Sequence, residues 1–219
     1  MNTSHALGTR AIAWLLAMAA SLLTLAVLSK AQAADLPVQG LAPFQAIEFH
    51  GVGELQVEAG AAQSVSVAGP MAAQAQVTFK VKRGTLYVVQ TGYPWHAAES
   101  GLVVQVGLPQ LAALTLKGRG RGQLHGLHGG DTRITLLRQA TLKASGTLDH
   151  LQVEVDRDSF ADLSQVTAGS ANVTATEGGS ARFRASTPLV TSVFGVASVS
   201  NAGTQPLRLM VAGQQGRRP

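Results

Sequence analysis

Between residues 114 and 130 the chain reads LTLKGRGRGQLHGLHGG, placing two arginines and two histidines among a train of glycines. Three chemistries use such residues. Gly118, Gly120 and Gly122 form G-x-G-x-G, but a dinucleotide loop needs G-x-G-x-x-G opening a helix, and no G-x-x-x-x-G-K-[ST] phosphate loop exists anywhere in the chain. His125 and His128 offer two imidazoles to a metal, although Gly126 and strand alternation give them no fixed common face. Arg119 and Arg121 alternate with the glycines, so both guanidinium groups are expected to leave one bend in one direction. Arg138 stands near one repeat further along the chain and extends them into a patch suited to phosphate or carboxylate oxygens.

Other candidate groups carry less chemistry. Asp156, Asp158 and Asp162 in DRDSFAD resemble part of a calcium loop, yet Phe160 and Ala161 stand where such a loop needs an oxygen ligand and a glycine. No serine sits in a G-x-S-x-G elbow, and no histidine lies near a Ser and Asp in a triad-like arrangement along the sequence. Glu154, Asp156 and Asp158 could supply paired carboxylates for cleaving a polysaccharide, but alternation sends all three to solvent or to a bend. The stretch GYPWH places Tyr93, Trp95 and His96 around Pro94 in a loop, where exposed rings stack on sugars, meet a membrane surface, or plug the end of a core. No catalytic residue and no metal or cofactor site emerges, so the chain is not expected to be an enzyme.

The elements that must position these groups are strands. Apolar and polar residues alternate in AIEFHGVGELQVEAG, QSVSVAG, AQVTFKVKRGTLYVVQ and GLVVQVGLP, with Gly, Pro, Ser and Asn punctuating the runs. No convincing helix follows the leader. From Leu114 onward similar runs begin at Leu114, Ile134, Leu151, Ala171, Leu189 and Leu207, a recurrence that marks a repeat architecture. One such unit cannot bury its own apolar face, whereas units stacked about 4.8 Å apart can. The expected fold is all-β: a single-domain β-solenoid or β-helix of coils of about 17–20 residues, with an N-terminal β section. Leu116, Leu136, Val153, Val173 and Leu209 are expected to point inward, and KGRGRG becomes the bend of the first coil.

The order of these segments resembles the autotransporter adhesin head GIN domain family. FQAIEFHGVGELQVEAG, SVSVAG, VKRGTLYVV and VVQVGLPQLAALTLKGRGRG succeed one another between Phe44 and Gly122, and Pro109, Leu111, Leu114, Leu116, Gly118 and Gly120 match the family's step into its repeated coils. The resemblance implies a β-helical fold at residues 44–213 and a place in the cell envelope, and it brings no catalytic residues. Arg119 and Arg121 stand where the family prefers small polar residues, and Arg138-Gln139 and Asp156 to Asp158 replace Gly-rich bends. A translocator barrel is not expected after residue 213.

Composition sets the address. Arg10 precedes the apolar run AIAWLLAMAASLLTLAVL, followed by Ala31-Gln-Ala33, which reads as a Sec signal peptide over residues 1–33 cleaved after Ala33; an uncleaved signal anchor is the alternative. Cleavage removes Arg10 and Lys30 and leaves 15 of the 17 Lys and Arg against all 12 Asp and Glu, too mild an excess to indicate nucleic acid. Cysteine is absent, which excludes disulfides, thiolate sites and a lipid-anchoring cysteine, and suits an oxidising periplasm. Lys117, Arg119, Arg121, Arg133, Arg138 and Lys143 face Asp131 alone, while residues 149–162 hold five acids against Arg157, so one coil is basic and the next acidic. The expected role is an exported envelope structural or adhesin-like interaction module, periplasmic or at the surface, whose partner is an envelope protein or glycan. A binder of anionic polymer such as lipopolysaccharide, through the basic coil, and a small polysaccharide-active enzyme are the alternatives.

Overall fold

Thr, Val, Ile and Leu at alternate positions favour the pleated backbone, and glycine-rich bends interrupt it every few residues. A computed structural model of the chain describes residues 36–92, 101–184, 189–201 and 207–210, with the backbone alone for Leu189, Val190 and residues 207–210. The expected leader cleavage and the GYPWH loop with Tyr93 and Trp95 lie outside the described residues.

The strands in chain order are β1 (Leu36–Pro37), β2 (Ala46–His50), β3 (Glu54–Ala59), β4 (Ser64–Ala68), β5 (Val77–Lys82), β6 (Thr85–Gln90), β7 (Val103–Leu108) and β8 (Ala113–Lys117). They continue with β9 (Arg121–His128), β10 (Asp131–Leu137), β11 (Thr141–Val155), β12 (Phe160–Ala175), β13 (Ser180–Phe183), β14 (Leu189–Val193), β15 (Ser198–Asn201) and β16 (Leu207–Met210). A single turn of helix, α1 (Met71–Gln74), is the one departure from β structure among the described residues, where the sequence pattern predicts no helix. All sixteen strands belong to one curled, open sheet.

Two parallel branches meet in the long strands β11 and β12. In the first, Ile47 and Ile134 flank Leu114, and from Ile134 the row runs through Val153, Val173 and Thr191 to Leu209. In the second, Leu55 lies beside Gly122, then Leu142, Ala161, Ala181 and Val199. The N-terminal section adds antiparallel pairs, β7 with β4, β4 with β1, and β6 with β5. The β5–β6 turn is Arg83-Gly84, with φ of 51° and 73°, so both central residues take the left-handed conformation that matches the strand twist.

The register does not follow the starts of the apolar runs: Ile134 pairs with Val153, while Leu151, which opens the next run, stands beside Thr132. Because side chains alternate with a period of two, a slip by two positions leaves the same faces buried, and the apolar pattern cannot distinguish the two registers. Leu116, Leu136, Val153 and Val173 are accordingly all buried. They divide between two rows, since Leu116 and Leu136 align with Val155 and Ala175 rather than with Val153 and Val173. Small aliphatic side chains in such rows, with Phe49 beside Leu116 at one end, fill the core that the scarcity of aromatics demanded.

Candidate functional site

The bends that join the two branches lie over one another, and their residues form a row. Gly118 has φ of 100°, Arg138 and Gln139 have 63° and 67°, Arg157 and Asp158 have 51° and 57°, and Glu177 and Gly178 have 46° and 84°. Non-glycine residues thus occupy the left-handed positions that glycine fills most easily, the same places where Arg138-Gln139 and Asp156 to Asp158 interrupt the glycine-rich pattern. In the first bend the glycines face inward for want of space. A Cβ on Gly118 would come within 2.8 Å of the Gly51 carbonyl oxygen, one on Gly120 within 2.9 Å of the Phe49 ring, and one on Gly122 within 2.7 Å of Leu116 and Leu142.

Arg119 and Arg121 between them are exposed. Arg119 Nε donates to Gln139 Oε1 at 2.8 Å, which ties it to the next bend. Arg121 opens β9 in register with Glu54 and Thr141. Arg138 turns elsewhere: with His50, Lys117, Gln90 and Thr91 it lines a groove of about 370 Å³. Neither Arg119 nor Arg121 lines that groove, so the three arginines do not form one patch there. Asp156 does not neutralise Arg138. Its Oδ2 lies 3.4 Å from Arg157 Nε, and its Oδ1 accepts from the Thr176 hydroxyl at 2.7 Å, while Arg157 also reaches Glu177 at 3.1 Å.

The groove is electropositive. Lys117 Nζ meets Glu48 Oε1 at 2.7 Å, whereas His50 Nε2, 3.5 Å from the same oxygen, has no hydrogen-bond partner. Burial holds the His50 imidazole below the ordinary histidine range, Lys117 and Arg138 depress it further, and Glu48 opposes them. Sequence reasoning singled out Arg138 but missed His50, Lys117 and Gln90 as its neighbours. Only the pairing of β2 with β6 and β8 brings those residues together.

Two polar faces lie outside this groove. On the second branch Gln56 pairs in register with Gln105 on one side and Gln123 on the other, and Gln56 and Gln123 both donate to Glu54 Oε1, at 2.8 and 2.7 Å. On the first branch Asp131, His150 and Ser170 form one row, and Arg133, Gln152 and Asn172 another, across a shallow depression of about 710 Å³. His150 Nδ1 lies 2.6 Å from Ser170 Oγ and Arg133 Nε donates to Gln152 at 3.1 Å. The Asp-His-Ser row was legible only as a recurrence near the coil period, not as neighbours in sequence. It is a poor nucleophilic triad. All three side chains are exposed, and the N–H groups of β12 from Ala171 to Ala175 lie in a strand paired on both sides, which leaves them poorly placed to cradle an oxyanion.

The remaining motifs disperse. His125 Nδ1 meets Ser145 Oγ at 3.0 Å, while His128 Nδ1 donates to the Gly126 carbonyl at 2.9 Å, so the two imidazoles are engaged separately. Asp162 accepts from the Ser164 hydroxyl at 2.6 Å, which holds its carboxyl below the usual range; Ser159 of the same stretch is buried and receives the Ala140 N–H at 3.2 Å. Glu154 is exposed beside Thr135 and Thr174. Among the described residues no group of three or more His, Asp or Glu is placed to hold a metal ion, and no helix is long and apolar enough to cross a membrane.

Comparison with known proteins places this geometry. Residues 43–204 match the family described as "Putative auto-transporter adhesin, head GIN domain". The fold is similar to the crystal structure of a "putative adhesin" from Bacteroides fragilis, with a TM-score of 0.61 and 14% identity over 80% of this chain and 90% of that one. A "putative adhesin" from Parabacteroides distasonis gives a TM-score of 0.44 and 18% identity over 83% of this chain and 94% of that one. Comparison with curated proteins gives no match.

Proposed function

The chain belongs to the head GIN domain family, and from that premise we propose that it is an exported, non-catalytic, adhesin-like interaction module of the cell envelope. Residues 1–33 are a Sec signal peptide, cleaved after Ala33, and residues 44–213 a β-solenoid of stacked coils that carries binding faces to an envelope protein or glycan. The observation that supports this reading best is the row structure. Arg133, Gln152 and Asn172 stand side by side with Asp131, His150 and Ser170 on one ladder, so hydrogen-bonding groups recur at strand spacing on a rigid support. Such a surface suits recognition of an extended partner, and its serine–histidine contact, His150 to Ser170, lies exposed to solvent.

Fractionation of the cells that make the protein, followed by crosslinking and mass spectrometry of its neighbours, tests the proposal. Recovery in the periplasm or at the surface, with repeated crosslinks through the β10–β12 face, is expected. A cytosolic protein without envelope neighbours would contradict it. A second reading, binding of an anionic envelope polymer, is favoured by the unneutralised Arg138 beside Lys117 and His50. Retention on such a polymer should then weaken as salt rises.

A further inference from the structure

The groove between β2, β6 and the bend at Gly118 offers hydrogen-bond donors that nothing among the described residues uses, and we propose that it receives a carboxylate or phosphate group borne on an envelope glycan. The inference rests on the reading of the chain as a binding module and names one of its sites. Gln90 fixes the floor. Its Oε1 accepts the Val52 N–H at 2.9 Å, so its Nε2 is the donor end of the amide, and that nitrogen is buried without a partner. His50 Nε2 is likewise buried and unpartnered. At the rim Lys117 holds Glu48, and the Arg138 guanidinium has no hydrogen-bond or ion-pair partner among the described residues.

Two glycines among its lining residues let the chain pack closely there. A Cβ on Gly51 would lie 2.7 Å from Gln90 Oε1, and one on Gly118 would strike the Gly51 carbonyl oxygen. Of the groups left over, the amide N–H and the guanidinium are donors, and His50 Nε2 becomes one when the imidazole is protonated. A ligand that only accepts satisfies them together, and the net positive charge selects an oxyanion over a neutral hydroxyl. Lys117, on a flexible four-carbon stem, can swing from Glu48 to admit the ligand and share it. Among the described residues Glu48, Lys117 and Arg138 are the charged groups facing His50, while β6 presents neutral Val89 and Gln90. An entering anion favours protonated His50, so affinity should rise as pH falls through the bound-state pKa and level off below the depressed free-state value.

Nitrogen-15 NMR of the protein purified as the cell makes it, titrated with D-glucuronate, D-glucose 6-phosphate and D-glucose, tests the site. The Gln90 side-chain amide and Arg138 Nε–H should shift with one or both acid sugars and not with glucose, and which acid acts distinguishes carboxylate from phosphate. Arg138→Asn, a residue at ease at φ of 63°, should weaken binding about tenfold while Lys143→Gln, of equal charge change, leaves it intact. His50→Gln should flatten the pH dependence. No shift with either acid, an equal shift with glucose, or an equal loss in Lys143→Gln would overturn the proposal. If the shifts are absent while envelope crosslinks persist, the groove fails and the interaction module stands.

Discussion

At the residue scale the bends carry the most information, because there a single side chain decides between fold and function. Gly118 combines φ of 100° with a 2.8 Å approach of any Cβ to the Gly51 carbonyl. Gly118→Ala should therefore cost about 1–3 kcal/mol and lower the midpoint of thermal unfolding by several degrees, as circular dichroism would show. Arg119→Ala, which removes one exposed hydrogen bond to Gln139, should melt within about 0.5 kcal/mol of the parent. Equal melting of both variants would contradict the close packing of Gly118. Titration offers a second check. Because Ser164 depresses the Asp162 pKa, Asp162 contributes stability above the ordinary carboxylate range and loses it as pH falls through the depressed value. Ser164→Ala should raise that pKa in a carboxyl-carbon NMR titration, and an unchanged pKa would remove the hydrogen bond as its cause. The bend was legible in KGRGRG, whereas the company of Arg138 was not: His50 and Lys117 come from β2 and β8, well before it in the chain, and no local pattern links them.

At the element scale the alternation identified strands and their buried faces, since period two is a local property. Register is not local. The length of each bend sets it, and Arg138-Gln139 and Arg157-Asp158 turn the chain without the glycines by which a bend is usually recognised. The absence of cysteine makes the register directly testable by introducing pairs. Thr135→Cys with Glu154→Cys places two outward thiols on paired residues, within disulfide reach across adjacent strands. That pair should oxidise readily, and Thr135→Cys with Gln152→Cys, the pair that a step from Ile134 to Leu151 would demand, should not. Formation of the second and not the first would restore the other register. Val153 tests the core itself. It is 1% exposed, so Val153→Asp puts a charge into a dry row, and a loss of several kcal/mol should prevent folding of a domain with about 5–15 to spare. Native-like melting of that variant would contradict its inward orientation.

At the scale of the whole molecule, repetition explains why the all-β class was more legible than activity. A period of roughly 17–20 residues announces stacking. Stacking, however, produces polar rows of every composition on its outer faces, and a row such as Asp131, His150 and Ser170 arises from register alone. The apolar leader supports export by composition, and sequencing of the exported protein should find Ala34 at its N-terminus; retention of residues 1–33 would make it membrane-anchored instead. The claim that matters most is that these faces bind and do not cut. Its most direct test mixes the purified protein with envelope prepared from its own cells, measuring both the sedimented fraction and the chain length of the envelope polysaccharide. Saturable retention with polymer length unchanged is the result expected. Failure to sediment at any ionic strength, or progressive shortening of the polysaccharide, would contradict it.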